Sequence, residues 1–446
     1  MLDNWNDNAL IYHIYPIGAV GGPRVNEGCK TEHRILKVID MIPHLKDLGF
    51  NTVLFGPVFE SESHGYDTVD YKKIDTRLGT NGDFAKVCEE LHKEGFRVIL
   101  DGVFNHTGRK FPQFLDVQQN LGQSPYCDWF ANLNFGGNSP MGDPFWYEGW
   151  NGCYNLVKLN LANWHVCDYL MDAVKMWISE FDIDGLRLDA ADCLNMGFVE
   201  RLKRETRDIK SDVWLMGEII HGDYNRWAHE GAMDSVTNYE CFKGIWSSHN
   251  DKNYFEIAHS INRQSGNGGI YSSINLYTFV DNHDVSRLAT VLKDKNDLKN
   301  CYTLLYGMPG IPSVYYGSEF GIEAEKMHGS DDNLRPEFTP DRWTEEYGTD
   351  LADHIRELGR IYRELPALRR GTYVPQVITC RQFVFERDLD GRKAFVILNC
   401  DDNDAAVTFH AEGSVKYDVI MGDISVSRDG NNMTVTVKGH DSAIIA

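Results

Sequence analysis

Three carboxylic acids, Asp189, Glu218 and Asp284, each end or closely follow an apolar run that is typical of a buried strand. The runs cover residues 185–189, 213–218 and 275–281. In a parallel barrel the carboxyl ends of the strands share one rim, so we expect the three side chains to converge. Like charges in one pocket repel each other and raise each other's pKa. Such a cluster is hard to explain as structure alone and therefore indicates an active site.

Glycoside hydrolysis requires two carboxyl groups of different pKa, one as the acid and one as the nucleophile or base. Glu218 has apolar neighbours, which predicts that it stays protonated and donates to the leaving oxygen. Arg187 and Asp189 share one face of the predicted strand, and this pairing should keep Asp189 ionised. On that stretch alone, a structural ion pair is the alternative. Asp284 could bind sugar hydroxyls and stabilise positive charge that develops on the ring.

Eight short runs predict the strands that position these acids. They cover residues 9–15, 51–55, 96–101, 185–189, 213–218, 234–238, 275–281 and 312–316. Amphipathic runs at helical spacing lie between them, such as residues 165–181 before the fourth strand. Alternation of strands and helices implies parallel strands joined by crossover helices. The predicted fold class is therefore α/β, a (β/α)₈ TIM barrel with functional residues at the carboxyl ends of its strands.

Two segments depart from this alternation. Residues 105–163 are rich in Gly, Asn, Pro and aromatic residues and are too long for a simple loop, which predicts a small inserted lid domain. Its aromatic side chains could form a core of their own or a platform for a sugar ring. Residues 370–446 alternate between apolar and polar and carry a hairpin signal at 388–391, which predicts a C-terminal antiparallel β-sandwich. The barrel then comprises residues 1–104 and 164–369.

The composition limits the classes of partner. The net charge of -22, from 66 acidic and 44 basic residues, disfavours nucleic acid and anionic membranes and suits an uncharged substrate. No apolar run has the length of a membrane span, and the first residues lack the pattern of a signal peptide. The ten cysteines are scattered without a CxxC pair. We expect them to be free thiols in a cytoplasmic protein.

Four segments occur in the order that is found in one enzyme family: residues 101–106 (DGVFNH), 185–189 (GLRLD), 217–218 (GE) and 279–284 (FVDNHD). On these motifs the chain is identified as a member of the α-amylase family of retaining glycoside hydrolases. The resemblance implies that Asp189 is the nucleophile, Glu218 the general acid/base and Asp284 the stabiliser of the transition state. It also implies that six residues contact the substrate, namely Tyr66, His106, Arg187, His283, Asp331 and Arg335. The implied reaction cleaves α-1,4-glucosidic bonds of starch-derived oligosaccharides through a covalent glycosyl-enzyme.

Within that family, residues 156–160 (LVKLN) are similar to the segment found in neopullulanases and cyclomaltodextrinases. Those relatives usually carry an N-terminal β domain that helps to form a dimer. About ten residues precede the first predicted strand here, which favours an open cleft for linear α-1,4-glucans and a monomer or weak dimer. Cyclomaltodextrinase or neopullulanase activity, and transglycosylation or isomerisation through the same intermediate, remain alternatives. A non-catalytic sugar-binding protein is a further alternative, against which the three intact carboxylic acids argue.

The resemblance leaves calcium open, and it implies no cofactor for the chemistry itself. Asn105 matches a position that binds calcium in many family members, and the inserted segment offers further oxygen ligands. In contrast, residues 191–192 (AD) stand where calcium-dependent amylases typically carry Lys-His. A structural calcium ion at Asn105 is therefore an expectation to be tested.

Overall fold

The computed structural model describes residues 5–28 and 30–446. Eight parallel strands form its central sheet, and all eight lie where the sequence predicts them. They are β1 (Ile11–Ile14), β2 (Thr52–Phe55), β3 (Arg97–Gly102), β4 (Gly185–Leu188), β5 (Trp214–Gly217), β6 (Ser235–Val236), β7 (Tyr277–Phe279) and β8 (Ile311–Tyr315). The order is β6-β5-β4-β3-β2-β1-β8-β7, and a parallel bridge from Thr237 to Tyr277 joins the two ends. The predicted (β/α)₈ barrel is confirmed.

Eight longer helices surround this barrel and cover its outer face. They are α1 (Lys37–Asp47), α2 (Asn81–Lys93), α3 (Trp164–Phe181), α4 (Met196–Ile209), α5 (Tyr239–Asn250), α6 (Phe255–Ser265), α7 (Leu298–Gly307) and α8 (Asp350–Glu364). Shorter helices lie in the connections, at Pro16–Ala19, Pro112–Asn120, Leu288–Val291, Pro340–Tyr347 and Pro366–Arg370. None of the helices in the described residues is long and apolar enough to cross a membrane.

In strand β4, successive side chains face two different environments. Leu186 and Leu188 belong to the apolar layer between the barrel and its helices. Arg187, between them, faces the barrel interior, because successive side chains of a strand point to opposite sides. The register places Arg187 opposite Asp101 of β3 and opposite Met216 of β5. Arg187 and Asp101 thus form a charged pair on neighbouring strands, below the rim at the carboxyl end of the barrel.

The segment after β3 contains short antiparallel strands at His106–Thr107, Gly149–Trp150 and Cys153–Lys158, together with the helix Pro112–Asn120. Most of its aromatic residues form a core of their own around Phe114, whose ring centroid lies 5.0 Å from those of Phe130 and Tyr147. Trp150 instead lines the large cleft above the barrel. The predicted aromatic core is therefore present, and the use of Trp150 as a platform for a sugar ring stays a prediction.

The C-terminal part consists of two antiparallel sheets. Its strands are β9 (Thr372–Ile378), β10 (Gln382–Leu389), β11 (Arg392–Asn399), β12 (Ala405–His410), β13 (Val419–Met421), β14 (Ser425–Asp429), β15 (Asn432–Val437) and β16 (Asp441–Ile445). One sheet has the order β9-β10-β11-β16-β13 and the other β12-β15-β14. Val384, Phe395, Val407 and Val435 pack in the core between them.

The outer face of the five-stranded sheet packs on the barrel. Its residues Phe385 and Val396 belong to the same apolar core as the barrel helices. The buried guanidinium of Arg387 donates hydrogen bonds to the carbonyl oxygens of Gly307, at the end of α7, and of Gly371. Burial lowers the pKa of Arg387 to about 10. The two parts of the chain therefore share both apolar and polar contacts.

The nine cysteines in the described residues are all free thiols, as predicted. Cys29 lies outside the described residues.

Asp184, just before β4, is buried and lies at the centre of an ion cluster at the amino end of the barrel. Its carboxylate contacts Arg97 at 2.6 Å, Lys210 at 2.9 Å and His92 at 2.9 Å, and it accepts a hydrogen bond from the Val98 amide at 2.9 Å. Burial alone would raise the pKa of Asp184, but these partners hold it well below its usual range.

We expect Asp184→Asn to lower the free energy of unfolding by about 2–3 kcal/mol, because it leaves two cations facing a neutral group. Urea denaturation at pH 7 measures this loss. The pKa of Asp184 is lower in the folded protein than in the unfolded chain, where it is about 3.9. Ionised Asp184 therefore stabilises the fold above about pH 4, and this stabilisation is lost as the pH falls further. The difference in unfolding free energy between wild type and variant should thus shrink below about pH 4. Asp182→Asn is the matched control, since exposed Asp182 contacts the same Lys210. An equal loss of unfolding free energy in Asp184→Asn and Asp182→Asn would contradict the central role of Asp184 in the ion cluster.

Candidate active site

Arg187 connects the carboxylates at the carboxyl end of the barrel. One of its terminal nitrogens contacts the two oxygens of Asp101 at 2.6 and 2.8 Å and lies 3.4 Å from Asp189. Its other terminal nitrogen lies 2.9 Å from Glu218. Burial would lower the pKa of Arg187, but the surrounding carboxylates raise it well above its usual value. Arg187 is therefore a permanent cation shared by three acids.

Asp189 follows β4 and is nearly buried, with an exposed fraction of 8%. Burial and the charge of Glu218 raise its pKa well above the usual value, and Arg187 only partly opposes them. The predicted pairing of Arg187 with Asp189 is present at 3.4 Å, but its effect on the pKa of Asp189 is outweighed by burial and by Glu218. The physical reason is that Arg187 lies closer to Asp101 and Glu218 than to Asp189.

Glu218 directly follows β5 and is held from several sides. Its Oε2 accepts a hydrogen bond from the Ala190 amide at 3.2 Å, in addition to the contact with Arg187. Its Oε1 lies 3.5 Å from the Tyr239 hydroxyl, which accepts a hydrogen bond from the Asn282 amide at 3.1 Å. The backbone of Ala190 is left-handed, with φ 44°, and this turn brings its amide to Glu218. The carboxyl group is thus fixed in orientation beside Asp189.

Asp284 lies in the loop after β7 among cations. Its Oδ2 is 2.9 Å from His283 Nε2, and its Oδ1 accepts a hydrogen bond from Arg335 at 3.0 Å. Arg335 also contacts Asp331 at 3.3 Å. Burial would raise the pKa of Asp284, but His283, Arg335 and Arg187 hold it well below its usual range. Asp284 is therefore a stable anion near Asp189 and Glu218.

Aromatic rings form one side of the site. The Tyr66 and His283 rings are stacked, with centroids 5.5 Å apart, and the Tyr15 ring is stacked with that of His283 at 6.2 Å. The Tyr66 hydroxyl donates to Asp101 at 3.0 Å and also contacts His283 Nε2. The guanidinium of Arg335 lies over the Tyr15 ring at 4.5 Å. Flat apolar faces of this kind suit the carbon-hydrogen faces of a sugar ring.

His106 lies 4.0 Å from Asp189, and its ring lies 5.7 Å from that of Trp150. Burial lowers the pKa of His106 to about 4, so its ring is neutral near pH 7. Its Nε2 atom is buried and has no hydrogen-bond partner. A buried polar atom without a partner is costly, and a hydroxyl group bound in the cleft would satisfy it.

The structure brings together all the site residues that were predicted. Seven of the nine predicted catalytic and substrate-contact residues line one cleft of about 1680 Å³, and the other two, Arg187 and His283, contact Asp189 and Asp284 of that lining. Sequence reasoning missed Asp101 as the main partner of Arg187, as well as Tyr15 and Tyr239. The first two lie in or just after strands β3 and β1, so the strand pattern itself could have drawn attention to them.

The contacts of Asn105 do not support the expected calcium site. Its side-chain amide contacts His106 Nδ1 at 3.2 Å, and its carbonyl oxygen accepts from the Leu159 amide. Calcium prefers six to eight oxygen ligands. Within the described residues, the one cluster of three acidic or histidine side chains close enough to share a metal is Asp294, Asp402 and His440, near the C-terminal domain. Calcium at Asn105 stays a prediction.

The fold and the site together define a barrel enzyme whose rim carries paired carboxyl groups, a third carboxylate and sugar-sized aromatic faces. The family described as alpha amylase, catalytic domain, matches residues 35–357. The chain therefore belongs to the α-amylase family.

Relatives within this family differ in the activities that their names describe. The chain is 34% identical to a maltogenic alpha-amylase of Bacillus acidopullulyticus over 76% of this chain and 57% of that protein. It is 30% identical to a cyclomaltodextrinase of a Bacillus species over 89% of this chain and 73% of that protein. The acarbose-soaked crystal structure of a Nostoc punctiforme debranching enzyme superposes with a TM-score of 0.83 at 25% identity, covering 99% of both chains. The chain thus spans little more than half the length of the first relative.

Proposed function

We propose that this protein is a retaining glycoside hydrolase that cleaves α-1,4-glucosidic bonds in maltodextrins. The observation that carries the proposal is the pair Asp189 and Glu218, held by one arginine at the rim of the barrel beside the anionic Asp284. Retaining enzymes need a nucleophilic carboxylate and a carboxylic acid close together on opposite sides of one bond. The family membership and the names of its relatives support the substrate class.

In the first step, the Asp189 carboxylate attacks the anomeric carbon while Glu218 gives its proton to the glycosidic oxygen. The carbon-oxygen bond breaks, the shortened glucan leaves as an alcohol, and a glycosyl ester of Asp189 forms. When Glu218 carries its proton, it has no charge to raise the pKa of Asp189, and Arg187 then favours the Asp189 carboxylate. The proton on Glu218 therefore makes Glu218 the acid and at the same time leaves Asp189 as the nucleophile.

In the second step, the Glu218 carboxylate takes a proton from water, and the water oxygen attacks the anomeric carbon. The ester bond breaks, Asp189 returns as a carboxylate, and Glu218 is again protonated. Asp284 remains anionic throughout and stabilises the positive charge that develops on the ring in both transition states. His106, which has an unsatisfied ring nitrogen, and Arg335 are placed to bind the ring hydroxyls.

A sugar acceptor in place of water would give transglycosylation, and a cyclic substrate would give cyclomaltodextrinase activity, the name of one relative. A product time course on linear maltooligosaccharides, soluble starch, pullulan and β-cyclodextrin separates these activities. We expect hydrolysis of maltooligosaccharides with retained anomeric configuration. Absence of hydrolysis on all four substrates, with a folded protein, would refute the proposal.

We further propose that the protein works in a reducing compartment, the cytoplasm. The free thiols support this proposal, since several of them are exposed and would be open to oxidation elsewhere.

A further inference from the structure

Tyr239, the first residue of α5, lines the cleft, and its hydroxyl lies beside Glu218. Its ring packs edge-on against Phe279 of β7, with ring centroids 5.0 Å apart. Two residues earlier, the Thr237 hydroxyl accepts a hydrogen bond from the Ile219 amide at 2.8 Å and donates to the Ile219 carbonyl oxygen at 3.0 Å. The start of α5 and the backbone next to Glu218 are therefore tied together.

A chain of hydrogen bonds fixes the direction of the Tyr239 proton. The backbone amide of Asp284 can only donate, and it donates to Asn282 Oδ1 at 2.8 Å. The other polar atom of that side chain, Asn282 Nδ2, therefore lies 3.1 Å from the Tyr239 hydroxyl and donates to it. The Tyr239 oxygen is thus an acceptor for Asn282, and its own proton is free to point to Glu218 Oε1, 3.5 Å away.

The Tyr239 hydroxyl keeps this proton at neutral pH. Burial and the charges of Glu218 and Asp284 raise the pKa of Tyr239 well above its usual value. A separation of 3.5 Å is long for such a hydrogen bond. Hydrogen bonds of catalytic groups are often long before the substrate binds and shorten in the complex. Tyr239 is therefore a neutral donor for the carboxyl group of Glu218.

The two oxygens of Glu218 have different surroundings. Oε2 lies 2.9 Å from the Arg187 guanidinium and accepts a hydrogen bond from the Ala190 amide at 3.2 Å. Both of these groups are donors, so they occupy the two lone pairs of Oε2 and leave no acceptor for a proton bound there. The proton that Glu218 needs as an acid therefore belongs on Oε1, the oxygen that faces Tyr239.

We propose that Glu218 transfers its proton from Oε1, and that Tyr239 is the positioning residue that orients this oxygen and stabilises it once the proton has left. This inference rests on the proposed function. As the bond between Oε1 and the proton breaks and the proton passes to the glycosidic oxygen, negative charge develops on Oε1, and the hydrogen bond from Tyr239 becomes stronger. In the second step the same donor holds Oε1 while it takes a proton from water.

The test is Tyr239→Phe, which removes the hydroxyl and keeps the ring. We expect kcat/KM on maltoheptaose to fall about ten-fold, the lower end for loss of a hydrogen bond to a charged group. With α-maltosyl fluoride, whose leaving group needs no proton, the fall should be less than about two-fold. The readout is the ratio of the two losses, because a general disturbance of the site would lower both rates alike.

Asn282→Asp tests the direction of the hydrogen-bond chain without removal of the hydroxyl. A carboxylate at this position still accepts from the Asp284 amide, but it also accepts the Tyr239 proton and turns it away from Glu218. We expect the same selective loss on maltoheptaose. The additional loss should be smaller when Asn282→Asp is introduced into the Tyr239→Phe protein, which has no hydroxyl to turn.

Tyr277→Phe is the matched control, because the hydroxyl of this buried tyrosine of β7 donates to Ser313 Oγ at 2.8 Å. It should keep the wild-type ratio of the two rates. An unchanged rate on maltoheptaose in Tyr239→Phe, or an equal loss on both substrates, would overturn the proposal. A loss from Asn282→Asp that is undiminished in the Tyr239→Phe protein would contradict the direction of the chain. A folded wild type that hydrolyses neither substrate would instead refute the proposed function.

Discussion

Replacement of Asp189 by asparagine is expected to lower kcat on maltooligosaccharides by at least about 10⁴-fold, as for other enzymes that lose their nucleophile. The amide keeps the shape of the side chain but cannot attack the anomeric carbon. Stability should be unchanged or higher, because a buried carboxylate next to Glu218 is unfavourable, as its raised pKa indicates. Steady-state kinetics and thermal unfolding of the purified variant measure the two effects.

Asp192→Asn is the control for this variant, since Asp192 is an exposed carboxylate at the same rim. It should retain most of the wild-type kcat, which separates loss of the nucleophile from a general loss of negative charge. A folded Asp189→Asn protein with a rate near that of the wild type would show that another group attacks the substrate.

Replacement of Glu218 by glutamine is expected to lower kcat on maltooligosaccharides by about 10²–10⁴-fold, the usual contribution of general acid catalysis. The loss should depend on the leaving group. With α-maltosyl fluoride, fluoride leaves without a proton, so formation of the glycosyl-enzyme should be much less affected. Azide, a nucleophile that needs no general base, should restore turnover of the intermediate and give a glycosyl azide. An equal loss on both substrates without azide rescue would exclude Glu218 as the acid/base.

The same variant tests the electrostatic coupling of the pair. The charge of Glu218 raises the pKa of Asp189, so its removal should lower that pKa. Because the nucleophile must be ionised, kcat/KM falls as the pH drops through the pKa of Asp189. The acid limb measured with α-maltosyl fluoride should therefore move to lower pH in Glu218→Gln. An unchanged acid limb would mean that Arg187 and burial alone set the ionisation of Asp189.

The barrel was predictable because each strand is a short apolar run bounded by turn residues, and the eight runs alternate with amphipathic helices. The antiparallel C-terminal sheets followed from alternation and from the hairpin at residues 388–391. The domain bounds stay predictions. The internal strands of the inserted segment were not predicted, because pairs such as Gly149–Trp150 with Cys153–Lys158 are too short to produce a periodic pattern.

At the site, residue types and order were sufficient to predict which side chains converge, because parallel strands bring their carboxyl ends together. The pairing of charges could not be predicted in the same way. Arg187 has Asp189 two residues away in sequence, but the strand register places Asp101 directly opposite, and Asp101 is its closer partner. Register between strands far apart in sequence is set by the whole barrel. The same limitation explains why the sequence alone overstated the effect of Arg187 on the pKa of Asp189.

The contact of Arg387 with the end of α7 has a consequence for the unfolding of the whole chain. The C-terminal sheet packs this cation and the side chains of Phe385 and Val396 against barrel helices. The contacting surfaces of the sheet and of the barrel are therefore not suited to exposure to water. A fragment that ended before the sheet would expose apolar residues of α7 and leave the Gly307 carbonyl without its donor. The barrel and the sheet should therefore melt in a single cooperative transition, and the C-terminal sheet is an integral part of the catalytic unit.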